Sequence, residues 1–237
     1  MSEVLTNPYM VSPVAATTYP SSFGDTADGT TSGVVINTSD PKIGSGCLEF
    51  DGSSTGLNVP VQLLPTGTAD FTYSFWFQLA TFDSQMELLR QDYEVLFQKA
   101  TGNILVTGEI LVNKSNLALD TWYLLQSVRS GGVETSYLNY DAYSVINNSP
   151  TSIGSSTNWF IGGRSSGAEG LNGKMDSIVF FNRALSDSER SDIYNSGSPS
   201  TIEDTFSTLA SRDELKLWYS CDALTNSTLI NDAIPVS

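Results

Sequence analysis

Short segments rich in aromatic and β-branched residues, separated by Gly, Asn and Asp, dominate the chain from Gly44 onward. They recur about every ten residues, a spacing typical of antiparallel sandwiches. In the clearest segment, Phe71–Leu79 (FTYSFWFQL), aromatic side chains alternate along the strand and both faces are partly apolar. Such a segment suits a central strand that is covered on two sides. The pattern predicts an all-β fold, an antiparallel two-sheet jelly-roll sandwich.

Capping signals and renewed alternation define the remaining elements. Ser186 and Glu189 form a capping box that opens a short helix closed by Gly197, and a second box opens a helix over about 200–210. Leu215–Cys221 (LKLWYSC) alternates again and predicts an extra C-terminal edge strand. Further strands are predicted at 47–50, 57–61, 86–89, 94–99, 104–107, 109–112, 122–129, 135–140, 159–162 and 175–181.

These elements divide the chain into three regions. Residues 1–40, rich in Thr, Ser, Ala, Pro and Gly, predict an extended N-terminal arm with an irregular edge segment. The jelly roll is expected over 41–197, and 198–237 supply a helix and strand that pack on it or on a neighbour. The N-terminus lacks a basic start followed by an apolar run, and no apolar stretch is long enough to span a bilayer. We therefore expect synthesis in a host cytoplasm without a signal peptide, and no membrane insertion.

Charge and residue usage exclude several classes of function. The 237 residues contain 11 Lys and Arg against 26 Asp and Glu, a net charge of -15, which opposes binding to nucleic-acid phosphates. The chain has no histidine, which excludes Ser-His-Asp catalysis and His-ligated zinc. Two cysteines, Cys47 and Cys221, are too few for a disulfide framework and are expected to be small buried residues.

The order of five motifs resembles the laminin-G-like jelly-roll domain of the concanavalin A-like lectin/glucanase superfamily. The most specific is LNGKMDSIVFFNRALSDSERSDIYN at 171–195, which resembles the family's closing G-x-I-D strand and the helix after it. The resemblance covers about 41–196 and implies a lectin-like sandwich. The other motifs are GSGCLEFDGSSTGLNVP (44–60), FTYSFWFQL (71–79), LDTWYLLQSV (119–128) and WFIGG (159–163).

The family's opening strand is hard to find before residue 40, whereas a similar segment, LKLWYSCDALTNSTLINDA, stands at 215–233. This tail could fold back onto its own sandwich, pair with a neighbouring subunit, or be an ordinary edge strand whose likeness is chance. We favour the intramolecular arrangement.

Catalysis is not expected. Retaining glycosidases need two carboxyls about 5 Å apart, and on this fold the resemblance implies an E-x-D-x-E strand, which is absent here. The nearest acidic run lies at 87–94, where Glu87 is out of register with Asp92 and Glu94 on an extended strand. The protein is therefore predicted not to be an enzyme.

The resemblance implies a structural calcium ion near the rim of the sandwich. Asp176, which matches the Asp of the G-x-I-D block, is the best candidate ligand, and Asp222 is its neighbour if the tail strand pairs beside 175–181. Calcium prefers such oxygen ligands. A hydrogen bond from Asp176 to turn backbone is the structural alternative.

Sugar binding would use exposed aromatic rings together with polar side chains. The best candidates are Tyr137, Tyr140, Asp141 and Tyr143, in a stretch (137–149) that resembles the family's lYvDG hairpin, with Ala142 in place of its Gly. The flexible loop at 162–170 could rim a site. Three tryptophans lie inside strand motifs and are expected in the core: Trp76, Trp122 and Trp159.

Two functions fit these features. The first is a structural or adhesion protein of a bacteriophage virion, such as a capsid decoration protein, head fibre or tail adhesin, because an acidic chain with an arm, an extra strand and no export signal suits assembly and release by lysis. Its partners would be capsid or tail proteins and further copies of itself, with cell-surface glycan also possible. The alternative is a stand-alone, calcium-assisted carbohydrate-binding module.

Overall fold

A computed structural model describes residues 29–32, 34–53, 56–59, 62–91, 93–155, 158–199, 214–222 and 228–229. These residues form two antiparallel sheets stacked face to face, which confirms the all-β jelly-roll prediction. The front sheet contains, in spatial order, β16 (Thr228–Leu229), β1 (Gly29–Ser32), β4 (Gly56–Val59), β13 (Trp159–Ile161), β6 (Met86–Arg90), β7 (Glu94–Gln98), β8 (Asn103–Val106) and β9 (Glu109–Asn113). The back sheet contains β12 (Tyr143–Asn147), β11 (Val133–Leu138), β10 (Tyr123–Ser130), β5 (Phe71–Leu79), β14 (Asn172–Phe181), β3 (Cys47–Asp51) and β2 (Val34–Asn37), with β15 (Leu215–Tyr219) beside β14.

The predicted central strand β5 lies between β10 and β14, and all nine of its residues are buried. Its aromatic side chains Phe71, Tyr73, Phe75 and Phe77 enter the main core between the sheets. The opposite face of β5 carries Trp76, which belongs to a second apolar cluster outside the back sheet. The back sheet is thus covered on both faces.

One helix, α1 (Asp187–Tyr194), covers the outer face of the back sheet. The predicted capping box is present, because the Ser186 hydroxyl accepts from the backbone N–H of Glu189 and the Glu189 carboxylate accepts from the backbone N–H of Ser186. The helix ends at Asn195 in the left-handed conformation, earlier than the predicted Gly197, which instead closes a following 3₁₀ turn. The second predicted helix, at 200–210, lies outside the described residues.

Both sheets extend into the segment predicted to be an arm. Strand β1 belongs to the front sheet and β2 to the back sheet, where Val34 pairs with Phe50 of β3. The sandwich therefore begins before residue 41. The short strands β1, between β16 and β4, and β2, at the sheet edge, take their stability from partners farther along the chain. Residues 1–28 lie outside the described residues.

The predicted C-terminal edge strand β15 pairs with β14 of its own chain. Strand β14 is long enough to hold two partners end to end on one side: Asn172–Met175 pair with β3, and Ile178–Phe181 pair with β15. A β-bulge after Asp176 separates the two halves. Strand β15 of the C-terminal segment therefore pairs within the back sheet of its own chain.

A polar cluster interrupts the main core. The Arg129 guanidinium donates to Glu134 and to the backbone carbonyls of Gly67 and Thr151, and the Tyr93 hydroxyl also donates to Glu134. Arg129 and Glu134 are buried on neighbouring strands. The cluster ties the loops that contain Gly67 and Thr151 to the sandwich interior.

The two cysteines are buried free thiols, as expected. Burial raises the pKa of the Cys47 thiol to about 12. Among the described residues, no helix has the length and apolar character needed to cross a lipid bilayer.

Candidate ligand-binding site

The outer face of the front sheet carries a polar cavity of about 280 Å³ beneath a surface loop. Because α1 occupies the outer face of the back sheet, the front sheet offers the sandwich's other broad surface. We call this the Phe160 cavity; its lining residues are Arg90, Gln91, Asn158, Phe160, Arg164 and Ser165.

Strand register places four side chains of the site in one row. Trp159 and Ile161 point into the core, so Phe160 between them points outward and is only partly buried. Phe160 lies directly opposite Asn58 of β4 on one side and Arg90 of β6 on the other. Arg90 in turn lies opposite Glu94 of β7. The row Asn58–Phe160–Arg90–Glu94 therefore runs across four strands.

The loop at 162–170 forms the upper wall of the cavity. Its ends are held together, because Leu171 donates a backbone hydrogen bond to the Gly162 carbonyl and Gly162 donates to that of Leu88. Arg164 and Ser165 of this loop line the cavity. The Arg164 guanidinium is paired with the Glu169 carboxylate. The loop that was predicted to rim a site therefore lies beside this cavity, and its role in binding stays a prediction.

Only glycine fits at the start of that loop. Gly162 has a φ of +71°, and a Cβ built there would lie 2.2 Å from Cε1 of Phe50. The backbone at Gly162 therefore passes in close contact with the buried Phe50 ring, two residues before Arg164.

Three carboxyl groups surround the two guanidinium groups of the cavity. Arg90 Nη1 lies 3.2 Å from Oε1 of buried Glu87 and is also paired with Glu94. Burial raises the pKa of Glu87 to about 7 despite the opposing charge of Arg90. Glu169, the partner of Arg164, completes the group.

Two buried oxygen atoms at this face have no hydrogen-bond partner among the described residues: Oδ1 of Asn58 and Oε2 of Glu87. Buried polar atoms are usually paired, and exceptions often mark functional positions. The partly exposed guanidinium groups of Arg90 and Arg164 and the Phe160 ring provide hydrogen-bond donors and an apolar surface in the cavity. A polyhydroxylated ring can use both.

The structure separates the four residues predicted to bind sugar. Tyr143 faces the main core, because it pairs with Leu138, whereas Tyr137 points to the outer face of the back sheet. Tyr137 and Tyr140 lie 3.6 and 5.0 Å from the Arg190 guanidinium of α1, measured to the ring centres. Asp141 lies 3.8 Å from the same arginine.

Helix α1 occupies the surface that these tyrosines would present to a ligand. The Tyr140 hydroxyl donates to Asp187 at 2.7 Å, and its ring stacks on Tyr194. Tyr194 stacks in turn on Trp76. Tyr137 and Tyr140 therefore attach α1 to the back sheet, which favours a packing role for these two residues over sugar binding.

The predicted calcium ligands Asp176 and Asp222 both bind the loop before β3. Asp176 accepts from the backbone N–H groups of Lys42 and Ile43 at 2.8 and 2.9 Å, and burial raises its pKa to about 7. Asp222 accepts from the N–H groups of Ser45 and Gly46 at 2.6 and 3.0 Å. In the part of the chain that the structure describes, no three His, Cys, Asp or Glu side chains converge as metal ligands. The hydrogen bonds of Asp176 to turn backbone are the predicted alternative to calcium binding at that residue. Calcium binding stays a prediction.

Sequence reasoning missed the residues that line the Phe160 cavity outside the loop. An available signal was the alternation of the Trp159–Ile161 segment, which directs Phe160 away from the core. The neighbours of Phe160 come from segments about 70 to 100 residues earlier in the chain, so their proximity depends on strand order.

Solved structures share this architecture at low sequence identity. Domain 4 of AbnA, a GH43 extracellular arabinanase from Geobacillus stearothermophilus solved with arabinotriose, is 18% identical with a TM-score of 0.55 and covers 73% of this chain and 89% of its own. The binding domain of botulinum neurotoxin serotype D is 13% identical with a TM-score of 0.55, covering 71% of this chain and 46% of that one.

A Trypanosoma rangeli sialidase in complex with sialic acid is 15% identical, with a TM-score of 0.53. The match covers 71% of this chain but only 29% of the sialidase chain. These similarities show a shared fold. A comparison with curated protein sequences finds no significant match. The family model described as the concanavalin A-like lectin/glucanases superfamily matches residues 51–189, more than half of the sequence, and the chain belongs to that superfamily.

Proposed function

We propose that the protein is a non-catalytic carbohydrate-binding module that holds a glycan in the Phe160 cavity. The observation that carries the proposal is a partly exposed aromatic ring set between Asn58 and Arg90 on an open sheet face. A sugar ring can stack on Phe160 while its hydroxyls bond to the flanking amide and guanidinium groups. The AbnA domain solved with arabinotriose supports this choice of ligand class.

The arrangement of acids supports binding without hydrolysis. Glycoside hydrolysis requires a protonated carboxyl and a second carboxylate on opposite sides of the scissile bond. Here Glu87 and Glu94 bind the same nitrogen of Arg90, which therefore lies between them. The position that a scissile bond would need is occupied by the guanidinium group.

The test is the pair of variants Phe160→Ala and Ile146→Ala, assayed on a glycan array and then by calorimetry with the best ligand. Stacking of a nucleobase on an aromatic side chain is worth about 1–3 kcal/mol, and by analogy with the lower value for a sugar face F160A should weaken binding at least about fivefold. Ile146 is 58% exposed on β12 of the other sheet, and I146A should bind as wild type does. Failure of wild type to bind any glycan, or equal binding by F160A, would refute the proposal.

A second function, adhesion within a viral particle, is favoured by a different observation. The large apolar side chains exposed on the edge strands are Val35 on β2, Ile110 on β9 and Ile146 on β12, each more than half exposed. Sheet edges of this kind are common sites of subunit contact. We propose capsid or tail proteins, or further copies of this chain, as partners, with the virion as the location.

Light scattering and cosedimentation with particles test this second function. Wild type should form an oligomer or sediment with particles, and the triple variant Val35→Thr, Ile110→Thr, Ile146→Thr should do so less. A wild-type chain that stays monomeric and does not associate with particles would contradict it.

A further inference from the structure

Resting on the proposed function, we propose that Glu94 and Glu169 make the Phe160 cavity selective for uncharged glycans and against acidic ones. An arginine in a sugar site ordinarily attracts carboxylate-bearing sugars, because guanidinium and carboxylate form strong paired hydrogen bonds. In this cavity each arginine already has a carboxylate partner from the protein. The two glutamates are therefore specificity-determining residues of the site.

Arg90 is contacted by carboxyl groups from two directions. Buried Glu87 lies below it, with an Nη1–Oε1 distance of 3.2 Å, and Glu94 contacts the same nitrogen from the neighbouring strand. About 30% of the Arg90 side chain and 36% of the Glu94 side chain stay exposed. Free lone pairs and N–H groups therefore reach the cavity surface, where they can bond to hydroxyl groups.

Arg164 is neutralised within its own loop. Its partner Glu169 is also held in place from below, because the Gln85 side-chain amide donates to Glu169 Oε1 at 2.9 Å. The Glu169 backbone carbonyl accepts from the N–H of Glu87 at 2.8 Å. The carboxylate is thus fixed against the sheet and cannot move aside to free the guanidinium without breaking these contacts.

The charge balance of the site opposes an anionic ligand. Each of the two guanidinium groups is paired with a partly exposed carboxylate, Glu94 or Glu169, within a chain of net charge -15. An acidic sugar would have to displace a fixed glutamate to reach an arginine, and the like charges brought together would oppose its binding. A neutral sugar meets no such cost and can use the donors and acceptors that the ion pairs leave exposed.

The experiment measures binding to a glycan array of matched pairs that differ in the charge of their carboxyl groups: uronic-acid oligosaccharides with their methyl esters, and sialylated glycans with their sialic-acid methyl esters. The proteins are wild type, Phe160→Ala and the double variant Glu94→Gln/Glu169→Gln. The matched control is Glu109→Gln/Asp141→Asn, which removes two exposed charges that do not line the cavity. Circular dichroism and thermal unfolding confirm that each variant is folded.

Wild type should bind the neutral member of a pair at least about tenfold more strongly, and E94Q/E169Q should reduce this ratio about tenfold by gaining affinity for the acidic member. The control double variant should keep the wild-type ratio. Preference of wild type for acidic members, or an unchanged ratio in E94Q/E169Q while F160A loses binding, would overturn the inference and leave the proposed function standing. A wild type that binds no member would overturn both.

Discussion

Trp159 and Phe160 are adjacent in the chain and point to opposite sides of the front sheet. Trp159 is fully buried in the main core, whereas Phe160 lines the cavity on the outer face. A single three-residue strand therefore supplies both a core side chain and one that lines the cavity, and substitutions at the two positions should separate folding from the proposed binding.

Trp159→Ala should destabilise the protein by about 3–5 kcal/mol, because truncating a buried tryptophan removes apolar contacts and leaves a cavity. Trp122→Ala should cost less, since Trp122 is only partly buried beside the second apolar cluster. Urea unfolding monitored by far-ultraviolet circular dichroism measures both. Equal losses in the two variants would show that the core is placed incorrectly.

Glu134→Gln should cost about 3 kcal/mol or more, because it leaves the buried Arg129 guanidinium without its counter-charge. The control is Glu214→Gln, which weakens a partly exposed pair with Lys216 at 3.6 Å and should change the free energy of unfolding by less than about 1 kcal/mol. Denaturant unfolding at one pH compares the two variants. A small effect of E134Q would mean that the buried cluster is not ionic in solution.

Ser186→Ala should lower the free energy of unfolding by about 1 kcal/mol, because the helix loses its N-cap acceptor. Ser188→Ala, two residues later on the exposed side of the same helix, is the matched control and should be neutral or slightly stabilising. Thermal unfolding of the two variants checks this. A destabilised S188A would point to a general effect of alanine on α1 and not to the cap.

The free energy of unfolding should fall as pH rises from about 5 to about 8. Burial raises the pKa values of Asp176 and Glu87 to about 7, so the folded state binds more protons than the unfolded state, and the stabilisation is lost as those protons dissociate. Asp176→Asn should flatten the dependence, and adding Glu87→Gln should flatten it further. Urea titrations across this range measure the slope.

Asp141→Asn, at a side chain that is 60% exposed, should keep the wild-type slope. Groups whose pKa values are lowered, such as Asp187 beside the Tyr140 hydroxyl and Arg190, act in more acidic solution and leave this window unaffected. Stability that increases with pH over the same range would contradict the prediction.

Features set by local pattern could be predicted from the sequence. Alternation alone identified β5 with its full length, and the capping box identified the start of α1. Both depend on residues within a few positions of each other. The hydrogen bonds of Asp176 to turn backbone were also foreseen as an alternative to calcium binding.

Features set by strand order could not be predicted in this way. Strands β1 and β2 have weak patterns of their own and exist through distant partners. Arg129 lies four residues after Leu125 on β10, so the alternation of the strand directs both side chains inward. That Glu134 is the partner of Arg129 can be identified only once the pairing register of β10 and β11 is known. Tyr137 and Tyr143 were grouped by proximity in the sequence, although the register places them on opposite faces.

The first and last described strands, β1 and β16, pair with Gly29 opposite Leu229. In this geometry a pulling force applied at those two residues opens the pair one hydrogen bond at a time, as a zipper opens, and does not load all its bonds together. The outermost strands would therefore yield to weak tension first. Strands β13 and β6, which carry Phe160 and Arg90, lie farther inside the sheet and would stay paired after the edge strands have separated.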